Sequence, residues 1–487
     1  MRLVIAFARR RGPKGSAFGG FWVGGNLAGS AGIHRGRLRN RAGGHNGGLA
    51  WLASRNIVLL LTSQLLASIA VGYLLVVLPL YLNRAGLEPG LIGLLYSLSG
   101  LVTAFLVAFS GVLADRFGRR RFLIVGTALP MLSYAIFALT TETGWLIVAS
   151  IIGGVGLANG AAGALTAASF DAILAEHTPA RQRTSVFAWA QALWSLALAL
   201  GSLAAGVPEL LRRAVVGMGE LDAYRPPFVV IIAITVVATL LLLPMGSLTA
   251  SAHERATERR GWLPRRSLGV IARYSLALGM FGLGLGIAVQ LLPLWFALRF
   301  GVDEAALGPW YAAAQALSLG SVLISPWLDR RLGSAGSVVL VQVLGALSLV
   351  WIALIAPTFE LAIGAFVARN VLANLAWPLQ QALLMARAAP EERASAAGVG
   401  FSVWGLTNAL GPAIGGALMQ SGSLVLPVML GAVAYGLGGL AFGFGFRRPA
   451  ESPLRLESHG PGVDGQDGDR DGRESGDRQG DRSRAGS

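Results

Sequence analysis

The chain has 487 residues, of which 54% are apolar and only 13% charged, with a net charge of +15. A soluble domain has about 25% charged residues and about 45–50% apolar ones even with glycine included, and here 66 glycines come on top of the apolar share. This excludes an ordinary soluble globular protein, and it excludes intrinsic disorder for most of the chain. With no cysteine there is no disulfide framework and no thiolate site. His34, His45, His177, His253 and His459 all lie outside the apolar runs, so no metal centre and no cofactor is expected.

In chain order, residues 1–55 come first, Gly/Arg-rich, with ten basic residues and no acid. They hold no spanning run and read as a disordered basic arm. Twelve apolar runs follow, each near the about 20 residues that a spanning helix needs. They cover 57–82, 91–113, 122–140, 145–174, 184–207, 226–247, 271–298, 305–328, 336–356, 361–386, 394–419 and 425–446. The gap 248–270 separates one six-helix bundle, 56–247, from a second, 271–446. Residues 447–487 hold eight basic and nine acidic residues around Asp, Gly and Arg repeats, and read as a disordered tail.

Arginine in the gaps sets orientation. Counting Arg273 with the central gap, the gaps after spans 2, 4, 6, 8 and 10 hold sixteen arginines, and those on the opposite side hold five. Both termini, arm and tail included, are therefore expected in the cytoplasm of a multi-pass cell-membrane protein. The positive charge is thus read as topology, with no nucleic-acid partner. The expected partners are the lipid bilayer and a small-molecule substrate, and the protein is expected to be a monomer.

The halves repeat each other. Gly72 precedes Leu78-Pro79-Leu80-Tyr81, and Gly286 precedes Leu292-Pro293-Leu294-Trp295 at the same spacing. Gly86, Gly93 and Tyr96 match Gly301, Gly308 and Tyr311 at an offset of 215. Arg183, Ser185, Trp194, Leu200, Gly201 and Gly206 match Arg393, Ser395, Trp404, Leu410, Gly411 and Gly416 at an offset of 210. A duplicated six-span unit can rock against its copy around a midplane site, which is the logic of a secondary transporter.

Between spans 2 and 3 the chain reads Gly111-Val-Leu-Ala-Asp115-Arg116-Phe-Gly118-Arg119-Arg120-Arg121. This resembles the signature loop of the major facilitator superfamily, with every position filled, and the resemblance covers about residues 56–446. It implies an all-α membrane protein of twelve transmembrane helices in two pseudo-symmetric six-helix bundles. Gly111 lets helices approach closely, Asp115 can hold one state by charge-assisted hydrogen bonds, and Gly118 permits a tight turn. The second half carries a degraded copy, Asp329-Arg330-Arg331-Leu332-Gly333. The family's acid-and-arginine clusters at the ends of spans 4 and 10 correspond here to Asp171, Glu176 and Arg183, and to Glu391, Glu392 and Arg393. An ion-pair network of Asp115, Arg116, Asp171, Glu176 and Arg183 is expected to close the cytoplasmic side, with Arg119, Arg120, Asp329, Arg330 and Arg393 as further gating residues.

Arg369 is the arginine placed well inside an apolar run, and a charge there is costly enough to imply a function. Asn370, Asn374, Trp377 and Gln381 follow it in one helical stripe. Asn159 stands at the repeat-related position in span 4. Tyr311, Gln315 and Ser318 in span 8, Phe401, Trp404 and Asn408 in span 11, Gln64 and Ser68 in span 1 and Gln290 in span 7 complete the expected cavity. Among the acids before the tail, only Asp171 approaches a span interior, so a coupling proton is not indicated. Gly411-Pro412 in span 11 looks like the glycine-proline element that the family's antiporters carry in span 5, where this chain has Gly201-Ser202.

The reading is alternating-access transport of a small organic solute, leaning to export of amphiphilic, drug-like compounds. A carrier for an anionic metabolite held by Arg369 is the rival, and a non-transporting membrane sensor with the same fold is the alternative from another class. An enzyme is not expected, because no histidine lies in a span. The signature loop yields a first test. Asp115→Asn should shift the balance of the two states, read as altered labelling of single cysteines introduced at each end. Unchanged labelling at both ends would overturn the gating role.

Overall fold

The computed structural model describes residues 54–154, 160–178, 182–245, 267–321 and 324–446. The arm, the central gap at 246–266, the tail and Asn159 lie outside them. Every one of the twelve expected runs is helical where described, and no strand occurs among the described residues. Span 1 is Arg55–Arg84, span 2 Pro89–Phe117, span 5 Arg183–Leu203 and span 6 Arg225–Leu240. Span 8 is Glu304–Ser321, span 10 Phe359–Arg387, span 11 Arg393–Gln420 and span 12 Val425–Phe446.

The remaining spans are broken, each at a residue that explains the break. Span 3 divides into Arg119–Ala128 and Pro130–Leu139, because proline is tolerated only in a helix's first turn. In span 4, Thr143–Gly153 ends at Gly154 (φ 80°), and a second described helix runs Gly160–His177. Span 7 divides into Leu268–Ala288 and Leu292–Phe300, with Pro293 starting the second piece. Span 9 is Ser325–Val350, turned sharply at Gly333 (φ 71°) and ending in a π-helical turn at Trp351–Ile355.

Among the described residues, nine helical stretches are long and apolar enough to cross a membrane. Span 4 is described only in shorter pieces, and spans 8 and 11 are not among the nine either. Both are diluted by glycine, serine and amide residues, and both pack on the other half: span 11 on span 2, and span 8 on span 5. In lipid, helices associate through small residues that let backbones touch.

The repeated glycines stand at those contacts. Within the first half, a Cβ on Gly72 would lie 2.3 Å from the Leu198 carbonyl oxygen, and one on Gly201 would lie 2.0 Å from that of Ile69. Within the second half, a Cβ on Gly286 would overlap the Asn408 carbonyl oxygen, and one on Gly411 would overlap the backbone of Gly286. Between the halves, a Cβ on Gly93 would overlap the Pro412 carbonyl oxygen, and the Cα of Gly93 lies 2.9 Å from a Cβ built on Gly416. The repeat-related pair, Gly308 against Ser202 and Gly206 against Ala305, makes the other crossing between the halves. The matched offsets are therefore one set of helix crossings used twice.

The repeated aromatics behave alike as well. The Tyr81 hydroxyl donates to the Phe137 carbonyl at 2.7 Å, and the Trp295 indole to the Leu424 carbonyl at 2.6 Å. Each ties the C-terminal part of its half's first span to a neighbour in the same half.

The crossings give a stability test. Gly286→Ala should lower the apparent melting temperature in detergent, by about 1–3 kcal/mol of overpacking. Gly364→Ala, with nothing within 4 Å of the added Cβ, should leave it unchanged or raise it.

Candidate functional site

The contacts between the halves described above lie at one end, where span 1 finishes and span 8 begins. There the Ala413 amide donates to Ser97 Oγ at 2.8 Å, and Gln420 bonds Glu88. We call this the distal end. Further along the same helices, away from the distal end, lies a cavity of about 210 Å³. That is too large for a packing defect in a close-packed interior.

Leu75 of span 1 lines it from the first half. The second half contributes Phe281, Leu285, Val289, Gln290 and Pro293 of span 7, then Tyr311, Ala314 and Gln315 of span 8. Phe366, Arg369, Asn370, Ala373, Asn374 and Trp377 come from span 10, and Trp404 from span 11. Of the expected substrate-binding residues, Arg369, Asn370, Asn374, Gln290, Tyr311, Gln315 and Trp404 thus share one cavity. Asn408 borders it through Gln290. Gln64 bonds Ser68 on its own helix at 3.3 Å and does not line it. Gln381 falls one turn beyond Trp377, where the lining from span 10 stops, so it does not line the cavity.

Arg369 is 2% exposed, and its Nε and Nη2 have no hydrogen-bond partner. Its guanidinium lies over the Tyr435 ring of span 12, 5.0 Å from the centroid. Among the described residues no carboxylate pairs with it. A ring face returns part of the desolvation cost of a cation but does not neutralise it. An anion entering the cavity would.

The amides around it are held in place. Asn370 and Asn374 both donate to Ser318 Oγ, at 3.1 and 3.2 Å, tying span 10 to span 8. Pro412 has no N–H, so the Asn408 carbonyl one turn earlier lacks its helical donor. Gln290 fills that role at 3.3 Å and also bonds the Asn408 side chain. The wall is aromatic. Trp377 packs on Phe401 and Trp404, with centroids 5.2 and 5.8 Å away, and Tyr311 packs on Phe366 at 4.5 Å. Tyr435, Phe281 and Phe366 were not singled out in the sequence, because an aromatic residue within an apolar run carries no local signal.

At the opposite end stand the expected gating residues. Gly111 lies within the helix of span 2, and the side chains of Asp115 and Arg116 fall outside the described residues. Gly118 (φ 100°) makes the turn into span 3, and Gly333 (φ 71°) makes the equivalent turn in the second half. Glu176 pairs with Arg119, joining spans 3 and 4, and Arg120 bonds the Leu243 carbonyl at the end of span 6. Arg183 is exposed, its Nε 3.4 Å from the Thr178 carbonyl, and Asp171 is exposed too. Asp329 accepts from Ser334 across the Gly333 turn at 2.6 Å, while Arg330 and Arg393 are exposed. These described contacts stay within one half.

One acid departs from expectation. Glu304 opens span 8 and has no exposed surface. Only Asp171 was expected near a span interior, and Glu304 stands one residue before the expected run 305–328.

The Major Facilitator Superfamily model matches residues 60–368 and 318–465. An uncharacterized membrane protein of Saccharomyces cerevisiae is 24% identical over 324 residues, covering 60% of this chain and 71% of the yeast protein. The class H tetracycline resistance protein of Pasteurella multocida is 26% identical over 193 residues, covering 39% of this chain and 44% of that protein. The chain thus spans less than half the length of this resistance protein. In fold, it is similar to the crystal structure of a D-xylose-proton symporter, with a TM-score of 0.63 at 16% identity, over 82% of this chain and 98% of that one.

The unpaired guanidinium sets a trade between stability and binding. Arg369→Met should raise the apparent melting temperature of the ligand-free protein, by about 1–4 kcal/mol, the range found when buried ionic groups give way to apolar ones. A fall would mean that the Tyr435 contact outweighs the cost of burial.

Proposed function

The chain belongs to the major facilitator superfamily, and we propose that it exports a small amphiphilic organic anion by alternating access. As a member of that family it is a membrane transporter and not an enzyme. The observation that carries the substrate class is Arg369, a buried cation with no carboxylate partner among the described residues, in a cavity walled by aromatic rings. A guanidinium offers a fork of donors suited to a carboxylate or phosphate, and the Trp377 and Trp404 side accepts an apolar ring system. Asn370, Asn374, Gln290 and Gln315 supply neutral polar contacts that orient the solute.

Export is supported by the resemblance to a tetracycline resistance protein and by the glycine-proline element of span 11. The arginine asymmetry puts the distal end outside the cell and both termini in the cytoplasm. In that orientation the described state is sealed outward, with the cavity awaiting a cytoplasmic solute.

Ligand stabilisation tests the assignment. A compound present at 100 times its Kd stabilises the state it binds by about 2.7 kcal/mol. Amphiphilic carboxylates or phosphates should raise the melting temperature of the native protein and not of Arg369→Gln, and everted vesicles should accumulate the same compounds. Equal stabilisation of both proteins by neutral compounds or lipophilic cations would make Arg369 structural and overturn the anion assignment.

A further inference from the structure

Glu304 belongs to the second half, yet its bonding partners belong to the first. Its Oε1 accepts from Arg84 Nη1 at 2.8 Å, and from the Tyr224 hydroxyl. Arg84 ends span 1, and Tyr224 leads into span 6. Tyr224 is fully buried, Arg84 is 22% exposed, and Glu304 Oε2 has no side-chain hydrogen-bond partner among the described residues. A carboxylate with one bare oxygen is stable in such a place only while both donors stay on the other.

The first-half partners form a socket that persists without Glu304. Arg84 Nε also pairs with Glu220 at 3.1 Å, and Glu220 is half-exposed. The Arg84 guanidinium lies over the Tyr224 ring at 5.7 Å, and that ring packs on Tyr81 with centroids 5.2 Å apart. All of these residues move with the first half. When the halves part at this end, Arg84 keeps a counter-charge, whereas Glu304 gives up both donors for water. The contact can therefore open without stranding a buried cation. The glycine crossings beside it bring backbones together but carry no charge.

We propose that Arg84, Tyr224 and Glu304 are the latch of the distal gate, and that the hold of this socket on Glu304 sets the balance between the two transport states. The latch lies at the opposite end from the lock expected around Asp115. It rests on the alternating-access reading and is independent of the substrate's identity.

The chain has no cysteine, so two introduced ones carry spin labels cleanly. Val216→Cys, fully exposed between spans 5 and 6, and Ser421→Cys, exposed after span 11, report the separation of the halves at this end by pulsed electron paramagnetic resonance. Arg84→Gln leaves Glu304 buried and poorly paired, so it should raise the long-distance population by about tenfold, as should Tyr224→Phe, each removing a hydrogen bond to a charged group. Adding Glu304→Gln to Arg84→Gln removes the stranded charge and should restore the short distance, a rescue that general loosening would not give. Tyr224→Phe decides alone if Arg84→Gln is not monodisperse.

Gly93→Trp is the reference, because its side chain cannot fit against the Pro412 carbonyl in the closed arrangement. If it lengthens the distance while Arg84→Gln and Tyr224→Phe do not, the latch is overturned and the two-state reading stands. Failure of the Glu304→Gln rescue also overturns the latch. If even Gly93→Trp leaves the distance unchanged, the two-state reading falls and the latch with it.

Discussion

At the crossing of spans 2 and 11, Gly93 and Gly416 bring two backbones so close that no side chain fits between them. Lipid tails are as apolar as leucine, so burial of apolar surface does not drive helices together in a membrane. Contact has to come from close van der Waals approach and a few polar bonds, and glycine permits that approach. The same glycine set serves the crossings within each half and between the halves. The crossings between halves lie distally, at 412–420 on span 11 and 304–308 on span 8. The cavity takes its residues from the same helices further along, Trp404 and Tyr311 to Gln315. The position of the seal therefore fixes where solute can be held.

Charge is distributed to match. Among the described residues, the buried charged side chains are Glu304 and Arg369. Burying a charge is costly unless it is paired. Glu304 has its partners within the protein, across the seam between the halves. Arg369 has an aromatic ring and no anion. The first arrangement suits a contact that holds two bodies together, and the second suits a site completed from outside.

Much of this was legible in the amino-acid order. Arg369, Asn370, Asn374 and Gln315 stand out because polar groups in an apolar run are rare and expensive. Gly93, Gly201, Gly286 and Gly416 were legible as a repeat, although their purpose as backbone crossings was not. Gln381 shares the stripe of Asn374, but the cavity ends one turn before it, at Trp377. Phe366 and Tyr435 were silent, because they look like any other membrane-facing aromatic. Glu304 gave no signal, because a residue at the edge of a run can be solvated or buried, depending on what packs over it.

The sequence by itself determined the class of protein: an apolar chain with arginine-rich gaps, a duplicated six-span unit and a signature loop between spans 2 and 3. These are local properties, set by transfer cost and by the chemistry of neighbouring residues. Only the tertiary structure decided which end is sealed, which polar residues share the cavity, and that Arg84 and Tyr224 meet Glu304. Those outcomes depend on how two halves far apart in the chain pack, and helical periodicity gives each residue a face without saying what the face will meet.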